Sequence, residues 1–167
     1  LGSVEMRKMG LDVDDVEPYP DKKRQVPPTF KSYEDIDKEY DLVISNAVLN
    51  VIPDDWRENV MKQMAAVVKP GGKLFINTRS KPEALNTKNK IELDDEYELL
   101  VLNPDGSYRH YQKFSDVPEL ISWAQMQLGP GWKVERATKK NIGFSNACSI
   151  LCTKIDPRAK KITDKTD

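Results

Sequence analysis

The sequence predicts an α/β fold, a mostly parallel sheet that finishes on an antiparallel strand. Three observations carry this expectation. "YDLVISN", residues 40–46, is an apolar run between polar neighbours, as a buried strand requires. "DDWRENVMKQMAAVV" then brings Trp56, Val60, Met64 and Val67 round at near-helical spacing, and "KLFINTR" resumes as a strand. Strand, helix and strand make one βαβ unit, whose parallel crossover is expected to be right-handed. At the other end, "WKVERATKK" and "SNACSILCTKI" flank "NIGF" and pair as an antiparallel hairpin.

The elements follow in chain order. "SVEMRKM" reads as the last turns of a helix closed by Gly10. "LDVDDVEP" alternates Leu11, Val13 and Val16 with acids and stops at Glu17-Pro18, the pattern of a strand ended by proline. "YPDKKRQVPP" is loop by composition, and "TFKSYEDI" is an edge strand or an extended approach to the next element. Asp54 or Asp55 is available to cap the central helix, and "KPGG" is read as its terminator rather than as a phosphate loop, because it follows a helix instead of opening one. Residues 91–114 form two extended arms around Asn103-Pro104-Asp105-Gly106, a strong turn signal. "SDVPELISWAQMQLG" is a helix with Ser115 as its cap, and Gly129-Pro130-Gly131 ends it. Residues 1–155 are expected to form one domain, and 156–167, charged and nearly free of large apolar groups, a frayed tail.

Composition narrows the function classes. The chain has 167 residues, enough for one domain with a real core. A charged fraction of 32% with a net charge of −1 supplies no global basic field that would demand a polyanion. The two cysteines, Cys148 and Cys152, fall on one face of a strand and suit packed thiols; without a matching Cys/His pair they make no zinc site. No stretch approaches the ~20 apolar residues of a membrane span, and no signal peptide is visible, so a cytoplasmic setting without a membrane is expected.

The order of these pieces, with "YDLVISNAVLNVI" followed by "VVKPGGKLFINTR", resembles the class I S-adenosylmethionine-dependent methyltransferases, in particular small phage and bacterial methyltransferase-domain proteins. The likeness runs from about residue 10 to 155 and is most specific over 40–79. It implies a Rossmann-like fold and S-adenosylmethionine as cofactor. It matches Glu17 to the acid that holds the cofactor's ribose hydroxyls, a task that suits a carboxylate accepting two hydrogen bonds from a cis-diol. A strand-terminal acid can equally be a solvated end. Ser45, Asn46 and Ala47 match the loop beneath the methionine moiety and the transferred methyl; Asn46 also suits a plain turn. Asp35 matches the position near the adenine amino group more loosely, and a surface acid serves there as well. In related folds the glycine-rich first turn lies ~20 residues before the acid. That places it just before residue 1, so the domain is expected to be N-terminally truncated, its first strand and glycine turn lying upstream.

Methyl transfer is an in-line displacement that depends largely on positioning, so no nucleophile triad is expected. The loop reads Asn46-Ala47-Val48 where amino-directed DNA enzymes of the family place Pro-Pro-aromatic, and neither cysteine follows a proline as cytosine-C5 chemistry requires. The acceptor is left as a small molecule or a nucleic acid. Tyr108, Arg109, His110, Tyr111 and Lys113 interleave aromatics with cations, which suits a stacked strand but equally a solvated β-strand. His110, the lone histidine, is a general base or simply surface. The rival expectations are another Rossmann-like nucleotide enzyme, disfavoured by the terminal hairpin, and a non-catalytic methyltransferase-shaped binding module.

Overall fold

In a computed structural model, residues 2–20, 22–23, 26–94, 97–138 and 148–159 are described. The chain divides into two units, 1–38 and 39–167. "NIGF" and most of the charged tail lie outside the described residues.

The N-terminal unit holds helix α1 (Ser3–Lys8), with Gly10 in the left-handed region at φ 84° just past its end, as the sequence predicts. The strand expected over 11–17 is reduced to a single parallel bridge, Val16 to Phe30. Its polar residues bind locally instead. Arg7 Nε donates to the Val13 carbonyl at 2.7 Å, so that acceptor is already engaged. The Asp15 carboxylate accepts from Arg7 at 2.9 Å and from the Thr29 backbone N–H at 3.1 Å. Side chains that bond their own surroundings compete with a ladder in this way. "TFKSYEDI" supplies Phe30 to the bridge and then turns into a 3-10 segment, Tyr33–Asp35, with the Ser32 hydroxyl accepting from Glu34 N–H at 3.3 Å.

The C-terminal unit is built on a four-stranded sheet, ordered β1 (Tyr40–Asn46), β2 (Val68–Thr78), β7 (Cys148–Lys154) and β6 (Trp132–Arg136). β1 and β2 are parallel, while β7 is antiparallel to both β2 and β6. The α/β class, the parallel pair around the central helix and the closing antiparallel strands agree with the sequence. One face is the core. Leu74 pairs with Cys152, Ile76 with Ile150 and Thr78 with Cys148, all buried. Helix α2 (Asp54–Ala66) adds Met61 and Met64, and α4 (Val117–Leu128) adds Leu120 and Ala124. Each fully buried large side chain of this set contributes roughly 1.5–3 kcal/mol relative to exposure. Both cysteines are buried, as expected, and burial pushes the Cys152 thiol up to about 12.

Three local expectations are corrected. "KPGG" does not terminate the helix: α2 ends at Ala66, and the glycines lie within β2. Gly71 has φ +81°, and a Cβ on Gly72 would meet the Lys69 carbonyl at 2.8 Å and the Asp41 carbonyl at 3.0 Å. Close approach of two backbones, not helix ending, is why glycine stands there. Pro53 takes the N-cap position of α2, leaving Asp54 and Asp55 in its first turn, where acids favour the positive end of the helix dipole. Ser115 forms a bridge with Ser80, and Asp116 is the cap of α4, in a capping box with Glu119 (2.9 and 3.2 Å).

The stretch between β2 and α4 contains the short helix α3 (Lys81–Leu85) and a three-stranded antiparallel sheet of β3 (Lys90–Glu92), β4 (Glu98–Leu102) and β5 (Tyr108–Lys113). The β4–β5 arms and their turn were legible; β3 was an unrecognised third strand. Ala84, Leu99 and Phe114 form a small core there, with Tyr97 packed on it.

Candidate functional site

The functional geometry of the C-terminal unit gathers where β1 and β2 end. Each strand carries an apolar run, Leu42–Ile44 in β1 and Leu74–Ile76 in β2, and ends in polar residues. Asn46 lies opposite Asn77 in the parallel register, and the Asn77 amide donates to Asn46 Oδ1 at 2.7 Å. Ser149 on β7 donates its hydroxyl to Asn77 Oδ1 at 2.8 Å, so three side chains on three strands form one chain of hydrogen bonds. Asn77's carbonyl also accepts from Ala47 N–H at 2.9 Å. Ala47 sits at φ 56°, in the left-handed region that costs an ordinary residue roughly 1–2 kcal/mol. The backbone bond from Asn77 holds that strained turn, which is the sort of place where sites store strain.

Ser45 points the other way. It is 2% exposed, and its hydroxyl makes no hydrogen bond with any described residue. Beyond the turn, the 3-10 segment Leu49–Val51 buries Asn50, and α2 begins with Asp54 and Arg57. Arg57 is 8% exposed, with its guanidinium 5.7 Å from the Trp123 ring and 3.4 Å from Asp54. Lys113 reaches the same Asp54 at 3.0 Å. One acid is therefore shared by two cations. Tyr111 donates to Glu98 at 2.7 Å; burial first, then that carboxylate, holds its hydroxyl well above the ordinary value.

In the N-terminal unit, the Glu17 backbone N–H donates to the Phe30 carbonyl at 3.1 Å. Its carboxylate accepts from Tyr19 N–H at 3.2 Å. Tyr33 is raised by burial and then by the negative charge of Glu17. Asp35 is exposed at the end of the 3-10 turn.

Of the residues singled out from sequence, Ser45, Asn46 and Ala47 thus share one strand end, and Glu17 and Asp35 belong to the N-terminal unit. Asn77, Ser149, Asn50 and Arg57 were missed. Asn77 carried a usable signal: it ends an apolar strand with a polar residue, as Ser45-Asn46 does. Arg57 carried none, since a charged residue in a helix reads as surface. The aromatic–cation hairpin is partly spent on structure: Tyr111 is buried, Lys113 is tied to Asp54, and His110 is half-buried opposite Val101. Tyr108 and Arg109 remain exposed. Among the described residues no cluster suits a metal ion, and no helix is long and apolar enough to cross a membrane.

Residues 3–127 match the family described as "Methyltransferase domain". Among solved structures, a Pyrococcus horikoshii protein is similar with a TM-score of 0.59 at 15% identity, over 92% of this chain and 76% of that one. A SAM-dependent methyltransferase from Methanosarcina mazei is similar with a TM-score of 0.51 at 16% identity, over 75% of this chain and 66% of its own. At such identities the likeness is one of fold. The DhpI–SAH complex matches at 18% identity and a TM-score of 0.48, over 72% of this chain, and the match spans only 50% of DhpI. No curated protein matches.

Proposed function

Since this chain belongs to the methyltransferase-domain family over residues 3–127, we infer that it acts in S-adenosylmethionine-dependent methyl transfer, in the cytoplasm, on a small-molecule or nucleic-acid acceptor. The supporting observation is the polar end of β1: Asn46 tied to Asn77 and Ser149, and the strained Ala47 turn. In open α/β sheets, ligands bind outside the carboxyl ends of strands, and that is where these groups lie.

When bound, S-adenosylmethionine would supply an electrophilic methyl on its sulfonium to an acceptor lone pair, with the thioether as leaving group and the acceptor's proton passing to solvent. This chain's part is to bind and orient. Asn46 offers a carboxamide fixed by Asn77, so little freedom is lost when it meets a polar ligand. Ser45 is assigned with it to the methionine moiety, on the inward face of the same strand end. Glu17 is assigned to the ribose hydroxyls and Asp35 to the adenine edge. Ala47 presents backbone to the methionine moiety. Fixing the two reactants in line supplies most of the acceleration such a site needs.

The test is calorimetric titration of S-adenosylhomocysteine into the chain in its native, full open reading frame. Asn46→Ala is expected to weaken binding roughly three- to ten-fold, as loss of one net hydrogen bond implies, and Glu17→Ala by at least as much. Unchanged affinity in both variants would remove these residues from the cofactor site. No binding by the native protein would favour a non-catalytic module. Tyr108→Ala, measured against a single-stranded oligonucleotide, separates the two acceptor classes: weakened binding favours nucleic acid.

A further inference from the structure

β4 reads Glu-Leu-Leu-Val-Leu, so apolar side chains fall on both faces of the small sheet. A strand of that kind expects cover on both sides. One side has it: Leu99 and Val101 are buried, Leu99 in the small core with Ala84 and Phe114. On the other side the register aligns Ile91, Leu100 and Tyr111 in one row across β3, β4 and β5. At its β5 end this sheet packs on the 3-10 turn Leu49–Val51, just past the Asn46-Ala47 strand end. Burial falls along the row from there: Tyr111 is 7% exposed, Leu100 is half-buried and Ile91 is 50% exposed. Leu93, on the same face as Ile91, is 42% exposed. The row is therefore an apolar shelf that begins beside the candidate site and opens to solvent at β3.

One acid belongs to that shelf. Leu93 N–H donates to the Glu98 carbonyl at 2.9 Å, which sets the two residues side by side. The half-buried Glu98 carboxylate accepts from the Tyr111 hydroxyl at 2.7 Å. Lys113 lies opposite Glu98 in the register, but its ammonium reaches Asp54 at 3.0 Å instead. Among the described residues no cation is paired with Glu98. Arg109, the other cation of this face, stands further along β5, roughly 13 Å from Lys113. A carboxylate with one neutral donor and apolar neighbours favours a cationic donor.

We propose that this shelf is the acceptor subsite and takes a small amine, its apolar body on Ile91, Leu93 and Leu100 and its N–H donating to Glu98. The proposal rests on the methyl-transfer reading and narrows its acceptor to a small molecule. Charge decides that choice, because a nucleic-acid backbone would be set against the Glu98 carboxylate and would find Lys113 already engaged. Tyr111 is a positioning residue, fixing the carboxylate that selects the amine.

2-Phenylethylamine and 3-phenylpropionate carry the same ring with opposite charges, and they serve as probes in ligand-detected NMR titrations of the full chain. The amine is expected to bind about ten-fold tighter than the acid. Glu98→Gln, which keeps an acceptor for Tyr111, is expected to bring the two within about three-fold. Equal binding by the native protein, or a preference that survives Glu98→Gln, overturns the proposal. Ile91→Ser, at an exposed position, should weaken both probes by about two- to five-fold, and unchanged affinities overturn it too. A chain that sediments as a dimer until Ile91→Ser is introduced means that a second copy covers the shelf, which also refutes it. Calorimetry with S-adenosylhomocysteine separates the two readings. Its binding without amine selectivity leaves methyl transfer standing and removes this subsite. Selective amine binding without it keeps the shelf as an amine site and removes methyl transfer.

Discussion

β1 and β2 lie side by side in parallel register and turn the same alternate positions inward, yet they fill those positions differently. β2 alternates cleanly: Leu74 and Ile76 are fully buried, and the residues between them are not. In β1 the apolar Leu42 and Ile44 are 51% and 48% exposed, while the polar Ser45 is 2% exposed. Position in the sheet accounts for the difference. β2 is flanked by β1 and β7 and packs against α2, whereas β1 stands at the end of the four-strand order. Two strands with apolar runs of the same length therefore hold different places in the energetics, and the polar Ser45 is held inside by its neighbours, not by its own nature.

The largest test of that contrast pairs two truncations. Leu74→Ala should destabilise the protein by about 2–5 kcal/mol in urea unfolding, as a core cavity does, while Leu42→Ala should cost less than about 1 kcal/mol. Equal costs would mean that β1 buries its outer face as deeply as β2 buries its inner one. Gly72→Ala comes next, at roughly 1–3 kcal/mol, because the added carbon must displace the Lys69 or Asp41 carbonyl.

A pH titration sharpens the same comparison from the β7 side. Cys152 lies opposite Leu74, and burial raises its thiol from 9.0 to about 12. The folded state holds this proton more tightly than the unfolded chain. That contribution is complete below pH 9 and is lost progressively as pH rises towards 12. Cys152→Val should flatten this alkaline loss in unfolding measured between those limits; an unchanged slope would assign it to other groups. The smallest expected effect is at the β1 end. Ala47→Gly relieves a φ of 56° and should stabilise by under about 1 kcal/mol, the relief being partly offset by the greater freedom of glycine in the unfolded chain.

Much of this architecture was legible because its periodicities are strong. The "YDLVISN" strand, the helix behind it, the Asn103–Gly106 turn and the final antiparallel pair all follow from spacing alone. The misreadings share a cause: each depended on a contact distant in sequence. "KPGG" looks like a helix end until the Asp41 backbone is placed against Gly72. "LDVDDVEP" alternates like a strand, but Arg7 and Thr29 occupy the groups that a ladder would use. Ser115 and Asp116 are both good caps, and the bridge to Ser80 decides between them. At the candidate site, Asn46 could be singled out from its place after an apolar run. The Ser149 end of its hydrogen-bond chain comes from a strand about a hundred residues on, and no local pattern joins the two.

The irregular pairing at the start of β2 has a consequence for how the fold tolerates change. Tyr40 is matched to Val68, but Leu42, two residues on, is matched to Lys73, so β2 carries surplus chain between them. That surplus is slack between the helix and the ladder. A residue gained or lost near the end of α2 can be absorbed there before it reaches the pairing of Asn46 with Asn77. In a strand whose side-chain period is two, even a single-residue slip would turn Asn77 to the opposite face. The segment "KPGG" thus works as an expansion joint, letting the scaffold vary in length while the polar strand end keeps its alignment.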